Sequence, residues 1–116
     1  RDGIYQVLST HGKKLSESTK AKILLARAIL KKPKLLLLDD FTYLLTKRDK
    51  NTIIDFLFNS NQQYSIFIKT SDEEIMKRCD RILLMHEGKI VADGNFQDIT
   101  SSNEYKLISD DLYELH

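Results

Sequence analysis

The chain has 116 residues, of which 41% are hydrophobic and 30% are charged. This balance is typical of a soluble globular protein and excludes a disordered or fibrous one, while the length allows one domain at most. Eighteen Lys and Arg against seventeen Asp and Glu leave a net charge of +1, which gives no electrostatic basis for nucleic acid as the main partner. Aliphatic runs such as residues 35–38 are far shorter than the ~20 residues that span a bilayer. A single cysteine, Cys79, excludes an intrachain disulfide and a cysteine-based zinc site.

The first half of the chain predicts a helix and then a strand. Residues 1–14 are polar and predicted to be irregular. Ser16 is a favourable N-cap for a helix at residues 17–30, and Pro33 ends the helical pattern. Apolar residues cover most of the circumference of this helix, so we expect it to be buried on more than one side. The leucine run at residues 35–38 does not alternate with polar residues, which is typical of a strand covered on both faces.

The second half continues the alternation of helices and strands. The predicted elements are a helix at residues 47–59, a buried strand at 64–69, a helix at 73–78 and a strand at 81–85. Thr46 is the cap of the first of these, and Glu87-Gly88-Lys89 is a tight turn into a hairpin that Gly94 ends. Residues 101–116 are a polar tail, predicted to be helical. This alternation implies an α/β fold with a mainly parallel sheet flanked by helices, and the terminal β-hairpin adds an antiparallel edge.

Two features could bind ligands. In parallel sheets ligands lie beyond the carboxyl ends of the strands, which points to Asp39 and Asp40. Adjacent carboxylates repel each other, and a magnesium ion that also binds phosphate would offset this repulsion. The alternative is that Asp39 caps the following turn and Asp40 is solvated. The helix that begins at Ser16 could bind phosphate at its N-terminus, although an ordinary capped helix explains the same residues.

The order and spacing of the motifs resemble one family. The helix after Ser16 reads ILLARAIL at residues 23–30, the leucine strand ends in Asp39-Asp40, and Cys79-Asp80-Arg81-Ile82 precedes the hairpin. This succession resembles the C-terminal half of the ATP-binding domain of ABC transporters, a P-loop NTPase fold. The resemblance covers residues 1–99 and leaves residues 100–116 as a tail, and its apolar runs are similar to those of exporters.

The resemblance implies a role for several residues. Five positions correspond to the nucleotide-binding signature motif, usually Leu-Ser-Gly-Gly-Gln: Leu15, Ser16, Glu17, Ser18 and Thr19. Asp39 ends a strand similar to Walker B and would hold Mg²⁺ through water. Asp40 takes the place of the catalytic glutamate, and Ser71 takes that of the switch histidine. The implied cofactors are ATP and Mg²⁺.

Six positions depart from the family pattern, among them Thr19, which replaces a glutamine. Glu17 and Ser18 replace glycines, which keeps the backbone farther from a phosphate and adds negative charge. Asp40 is one methylene shorter than glutamate, Ser71 offers no imidazole, and Thr46 replaces an aspartate that crosses between subunits. No Gly-x-x-x-x-Gly-Lys-[Ser/Thr] loop occurs in the 116 residues, although the family builds its nucleotide pocket around one. We therefore expect weakened hydrolysis in a longer parent protein and no ATPase activity in the isolated chain.

The implied function is the ATP-binding and ATP-hydrolysing component of an ABC transporter, at the cytoplasmic face of a membrane. Its partners would be a second nucleotide-binding domain and a transmembrane domain, with no nucleic acid. The isolated chain would be soluble and would self-associate through surface that the rest of the domain covers. Three alternatives stay open: a non-catalytic regulatory or dimerisation module, a soluble ABC-type ATPase that acts on nucleic acid or ribosomes, and a phosphoacceptor receiver. The receiver lacks an acceptor aspartate at the end of an intermediate strand.

Overall fold

The computed structural model describes residues 15–59 and 61–114, without the side chains of residues 111–114. The predicted irregular segment at residues 1–14 lies outside this part of the chain. The chain divides into two compact units, Arg1–Thr70 and Ser71–His116. Both units contain helices and short strands, which confirms the α/β class.

The first unit has a parallel pair of strands. In chain order its elements are α1 (Glu17–Leu30), β1 (Leu35–Leu38), a 3-10 helix (Thr42–Leu44), α2 (Lys47–Leu57) and β2 (Ser65–Ile68). β1 and β2 are parallel neighbours, with Leu36 opposite Ile66 and Leu38 opposite Ile68. The Lys69 N–H extends the ladder by donating to the Leu38 carbonyl oxygen at 2.9 Å. The carboxyl ends of the two strands therefore lie side by side, as the sequence predicts.

Both helices of the first unit begin at their predicted caps. The Ser16 hydroxyl accepts a hydrogen bond from the Thr19 N–H, and the Thr46 hydroxyl accepts one from the Asp49 N–H. Such caps satisfy amides that have no partner within the helix. α2 ends at Leu57, two residues before the predicted end. Local side-chain chemistry thus fixes where these helices start.

The burial of the first unit differs from the sequence-based prediction. One face of the β1–β2 pair is covered, since Leu36 is 4% exposed and Ile54 and Leu57 of α2 are buried as well. On the other face, Leu37 is 68% and Phe67 is 61% exposed. The prediction that both strands are covered on both faces is therefore wrong. α1 contains no buried residue, so the prediction that it is buried on more than one side is wrong too.

The second unit is built around a hairpin. Its elements are α3 (Glu73–Arg78), β3 (Ile82–His86), β4 (Lys89–Gly94), α4 (Phe96–Thr100) and α5 (Asn103–Glu114). β3 and β4 pair antiparallel, with Ile82 opposite Gly94. The predicted tight turn is confirmed by positive φ angles of 49° at Glu87 and 76° at Gly88. The core of this unit contains Ile75, Met76 and Ile99.

The hairpin forms a sheet of its own. Within the described residues, β1 and β2 form one two-stranded sheet and β3 and β4 form another. The parallel pair and the antiparallel hairpin are both as predicted, and the joining of the two in one sheet stays a prediction. The alternation of elements determines their order but not which strands become neighbours. A tight turn supplies β3 with an adjacent antiparallel partner, whereas a parallel partner requires a crossover connection.

The described helices are short. α1 has 14 residues and α5 has 12. No helix in the described part of the chain has the length and hydropathy that a membrane-spanning segment requires.

Candidate functional site

Asp39 is an exposed carboxylate immediately after β1. Its side chain is 80% exposed, and its Oδ1 accepts a hydrogen bond from the Asp40 N–H at 2.8 Å. Lys69 Nζ, at the end of β2, lies 3.5 Å from the same oxygen. The backbone hydrogen bond is the largest cause of a lowered pKa for the Asp39 carboxyl, and the charge of Lys69 is the next. Mg²⁺ prefers ionised oxygen ligands, so Asp39 fits the predicted metal role as a single carboxylate donor.

Asp40 is half-buried and takes part in the following turn. Its Oδ1 accepts hydrogen bonds from the Thr42 N–H at 3.2 Å and from the Thr42 hydroxyl at 2.9 Å. These bonds organise the start of the 3-10 helix, because they satisfy its first amide. The alternative interpretation, in which Asp39 caps the turn and Asp40 is solvated, assigns the two roles to the wrong residues. Asp40 caps the turn, and Asp39 is the exposed carboxylate. One oxygen of Asp40, the predicted catalytic carboxylate, therefore already accepts two hydrogen bonds from Thr42.

The carboxyl end of β2 supplies the remaining predicted residue. Ser71 is exposed and is the first residue of the second unit.

Among the residues that the structure describes, no cluster of three or more His, Cys, Asp or Glu side chains is arranged to hold a metal ion. A Mg²⁺ ion at Asp39 would therefore take most of its ligands from water or phosphate, as this ion commonly does.

The N-terminal turn of α1 contains the residues that resemble the signature motif. Ser16 Oγ accepts from the Thr19 N–H at 3.1 Å and donates to Thr19 Oγ1 at 2.8 Å. Glu17 is exposed and forms an ion pair of 2.9 Å with Lys20. A helix N-terminus attracts anions through its free amides. Here the Thr19 amide is bound by Ser16, and the Glu17 carboxylate would oppose an approaching phosphate.

Asp49, in the first turn of α2, is a residue that the sequence analysis missed. Its Oδ2 accepts a hydrogen bond from the Ser18 hydroxyl at 2.9 Å and binds Lys22 Nζ at 3.1 Å. The bond to Lys22 is the largest cause of the lowered pKa of Asp49, followed by the bond to Ser18. The spacing Thr46-x-x-Asp49 is a local signal, since acidic residues are favoured three positions after an N-cap. The partners of Asp49, Lys22 and Ser18, lie 27 and 31 residues away in the sequence, so only the folded structure shows these contacts.

The predicted site residues therefore fall into groups with different chemistry. Asp39 and Asp40 stand together after β1, where the exposed carboxylate can bind a hard cation. Ser16, Glu17, Ser18 and Thr19 begin α1, and Leu15 precedes them as a half-buried residue. Ser71 belongs to the second unit. The first group contains an exposed carboxylate, and the second presents a helix N-terminus whose polar side chains are largely engaged with one another.

Curated proteins resemble the chain, although no protein-family model matches it. The chain is 32% identical over 114 residues to the methionine import ATP-binding protein MetN 1 of Oceanobacillus iheyensis, a match that covers 96% of the chain and 34% of that protein. It is 35% identical over 79 residues to the alpha-factor-transporting ATPase of Candida albicans, covering 68% of the chain and 6% of that protein. It is 31% identical over 97 residues to the glutathione/L-cysteine transport system ATP-binding/permease protein CydD of Haemophilus influenzae, covering 84% of the chain and 17% of that protein.

The chain covers only part of each of these relatives. The chain spans about a third of the length of the methionine import protein and less of the other two. The name of each relative describes an ATP-binding protein or an ATPase of a transport system. The match to the methionine import protein extends over nearly the whole chain, including the strand that ends in Asp39. The chain therefore belongs to the family of ABC transporter ATP-binding proteins.

Proposed function

We propose that the chain is the C-terminal half of the ATP-binding domain of an ABC transporter, in which it supplies the magnesium carboxylate and the signature helix. The observation that carries the proposal is Asp39, an exposed carboxylate with a lowered pKa at the carboxyl end of a parallel strand. Mg²⁺ bound there would neutralise charge on the phosphates of ATP. Asp39 would hold this ion as an ionised oxygen ligand, in competition with Lys69.

The remaining nucleotide contacts would come from outside the 116 residues. Phosphates in this class of protein are bound by a Gly-x-x-x-x-Gly-Lys-[Ser/Thr] loop, and the chain contains no such sequence. The methionine import relative has twice as much sequence beyond the match as within it, which leaves room for that loop. In this proposal the chain contributes Asp39 and Asp40 to a pocket that another segment completes, and the start of α1 is a separate contact for nucleotide.

Hydrolysis at this site would be slow. A catalytic carboxylate must orient the attacking water, and a displacement of about 1 Å can cost on the order of 100-fold in rate. Asp40 is shorter than glutamate, and its Oδ1 is held by two hydrogen bonds from Thr42. The hydroxyl of Ser71 cannot replace the imidazole of the switch histidine. Binding of ATP would therefore be less affected than its turnover.

The proposal includes the surroundings of the parent protein. A second nucleotide-binding domain and a transmembrane domain would be its partners, at the cytoplasmic face of a membrane. The relative from Haemophilus influenzae is named as an ATP-binding/permease protein, which supports a membrane partner of this kind. The apolar runs at residues 23–30 and 80–94 favour an exporter.

A non-catalytic regulatory module is the second candidate function. The observation that favours it is the pair of hydrogen bonds from Thr42, which gives Asp40 a structural role in the turn. Glu17 adds a negative charge where a phosphate would approach. In this alternative ATP binding would regulate a partner that carries the intact catalytic residues.

A chimera tests the proposed function. This chain replaces the corresponding segment of the Oceanobacillus iheyensis relative, so that the relative supplies the rest of the ATP-binding domain. We expect the chimera to bind Mg-ATP in calorimetry, and Asp39→Asn to weaken that binding only when Mg²⁺ is present. The 116-residue chain alone should show no micromolar binding of ATP. A folded chimera whose Mg-ATP affinity is unchanged by Asp39→Asn contradicts the metal role of Asp39.

Turnover tests the assignment of the two catalytic positions. Asp40→Glu with Ser71→His should raise the steady-state ATP turnover of the chimera, because positioning and electrostatics dominate phosphoryl transfer. The matched control is Ser109→His in α5, a residue that is not among those proposed to act on ATP. Unchanged turnover with unchanged ATP binding would contradict the assignment of Asp40 and Ser71 to the catalytic positions.

A further inference from the structure

The side chain of Asp40 is bound to Thr42 in two ways. Its Oδ1 accepts hydrogen bonds from the Thr42 N–H at 3.2 Å and from the Thr42 hydroxyl at 2.9 Å. A carboxylate oxygen has lone pairs for about two hydrogen bonds, so the acceptor positions of Oδ1 are occupied. A water molecule that Asp40 orients would therefore have to bind the other oxygen, Oδ2.

The two hydrogen bonds have different origins. Thr42 begins the 3-10 helix, in which the Phe41 carbonyl oxygen accepts from the Leu44 N–H at 3.1 Å. The first amides of a helix have no carbonyl partner within it, and Asp40 satisfies that of Thr42. The second bond depends only on the Thr42 side chain. A change of this side chain can therefore remove one bond and keep the other.

The length of the Asp40 side chain favours this turn. Aspartate and asparagine side chains commonly accept a hydrogen bond from the backbone N–H two residues on, which is the geometry between Asp40 and Thr42. A glutamate has one more rotatable bond, so the same contact would cost more conformational entropy. The aspartate that shortens the proposed catalytic carboxylate is thus also the residue type that caps the turn.

We propose that Thr42 is a positioning residue whose hydroxyl keeps the Asp40 carboxylate in the turn and thereby limits ATP turnover in the parent protein. This inference rests on the proposed function, in which Asp40 orients the attacking water. A displacement of about 1 Å can cost on the order of 100-fold in rate. A side chain that two hydrogen bonds hold cannot move to correct such a displacement. Loss of the hydroxyl bond would allow the carboxylate to turn toward the water.

The metal carboxylate has a separate set of contacts. Asp39 Oδ1 accepts from the Asp40 N–H at 2.8 Å and lies 3.5 Å from Lys69 Nζ. The Thr42 hydroxyl takes part in neither contact. Its removal should therefore change the turnover of ATP and leave the affinity for Mg-ATP unchanged.

The rotamer of Asp40 in the 116-residue chain is the first test. NMR couplings between its α and β protons show whether the side chain keeps one rotamer. We expect one rotamer in the unchanged chain and averaging in Thr42→Val, which replaces the hydroxyl by a methyl group. Thr42→Ser, which has a hydroxyl, should again give one rotamer. The matched control is Thr52→Val in α2, whose hydroxyl donates to the Arg48 carbonyl oxygen at 3.1 Å.

The turnover of the chimera with the Oceanobacillus iheyensis relative is the second test. Thr42→Val should raise kcat by about three- to tenfold at unchanged Mg-ATP affinity, since hydrogen bonds to charged groups have free energies of this order. Thr42→Ser should return kcat toward the original value, and Thr52→Val should not change it. In the Asp40→Glu chimera, Thr42→Val should have no effect, because glutamate does not favour the turn.

The outcomes distinguish this inference from the proposed function. If Asp40→Asn lowers turnover but Thr42→Val does not raise it, Asp40 acts on ATP and the role of Thr42 is wrong. A single Asp40 rotamer in Thr42→Val also overturns that role. If Asp40→Asn leaves turnover unchanged, the catalytic role of Asp40 fails, and the inference fails with it. Rotamer averaging together with a raised kcat at constant affinity supports the inference.

Discussion

The Ser18 hydroxyl of α1 donates a hydrogen bond of 2.9 Å to the Asp49 carboxylate of α2. Lys22, one turn farther along α1, binds the same carboxylate oxygen at 3.1 Å. The start of α1 is therefore attached to α2. Because α2 follows the turn that Asp40 caps, Asp49 connects the two segments that resemble the signature and Walker B motifs.

Removal of the Asp49 carboxylate should loosen the start of α1. Asp49→Ala deletes the acceptor for both Ser18 and Lys22, so we expect faster hydrogen exchange at the amides of the first turn of α1. Asp49→Asn keeps an acceptor for the Ser18 hydroxyl but loses the charge, and should have a smaller effect. Equal exchange rates in all three proteins would show that the link does not hold the helix start.

The pKa of Asp49 gives a second measure of the same contact. A lowered carboxyl pKa contributes stability that is fully present above the unfolded value of about 3.9 and is lost as the pH falls through the folded value. Lys22→Met should raise the pKa of Asp49, because Lys22 is the largest cause of its lowering. Carbon-13 NMR of the aspartate carboxyl groups measures the change. The carboxyl of Asp93, whose pKa is lowered by Arg81, is an internal control that should not move.

The lone cysteine should react slowly. Burial is the largest cause of the raised pKa of Cys79, the negative charge of Asp80 adds to it, and Sγ donates to the Ile75 carbonyl oxygen at 3.3 Å. The thiolate is the reactive form. We therefore expect a thiol reagent at pH 8 to modify Cys79 roughly tenfold more slowly in the folded chain than in urea. Asp80→Asn should accelerate the folded reaction by a smaller factor. Equal rates in the folded and unfolded chain would contradict the prediction.

Local chemistry explains which parts of the fold could be predicted. Ser16 and Thr46 cap their helices through bonds to residues three positions on, and such signals are present in the sequence. The exposure of Leu37 could not be predicted, because an apolar run indicates a surface that can be buried without showing what covers it. The strand partner of β3 and the partners of Asp49 depend on contacts between distant residues. Asp39 could be proposed from the sequence because an acidic residue after an apolar strand is itself a local pattern.

Gly94 ends β4 at a place where a side chain does not fit. A Cβ atom on Gly94 would lie 2.8 Å from the Asp98 Cβ, closer than real Cβ atoms approach a neighbour. Asp98 completes the capping box of α4: its Oδ2 accepts from the Asn95 N–H at 3.2 Å, and its N–H donates to Asn95 Oδ1 at 2.8 Å. The next residue, Ile99, is 1% exposed. A displacement of Asp98 would therefore disturb both a helix cap and the core of the second unit.

Gly94→Ala should destabilise the second unit by about 1–3 kcal/mol, the usual cost of overpacking. Urea unfolding followed by the NMR signal of the Ile99 methyl groups measures this change. The matched control is Gly88→Asn, at a turn with φ of 76° and no atom within 4 Å of a new Cβ. Asn tolerates this left-handed conformation, so the control should change stability by less than about 0.5 kcal/mol. If the free energy of unfolding falls by the same small amount in both variants, the contact between Gly94 and Asp98 can relax. Packing would then not require a glycine at position 94.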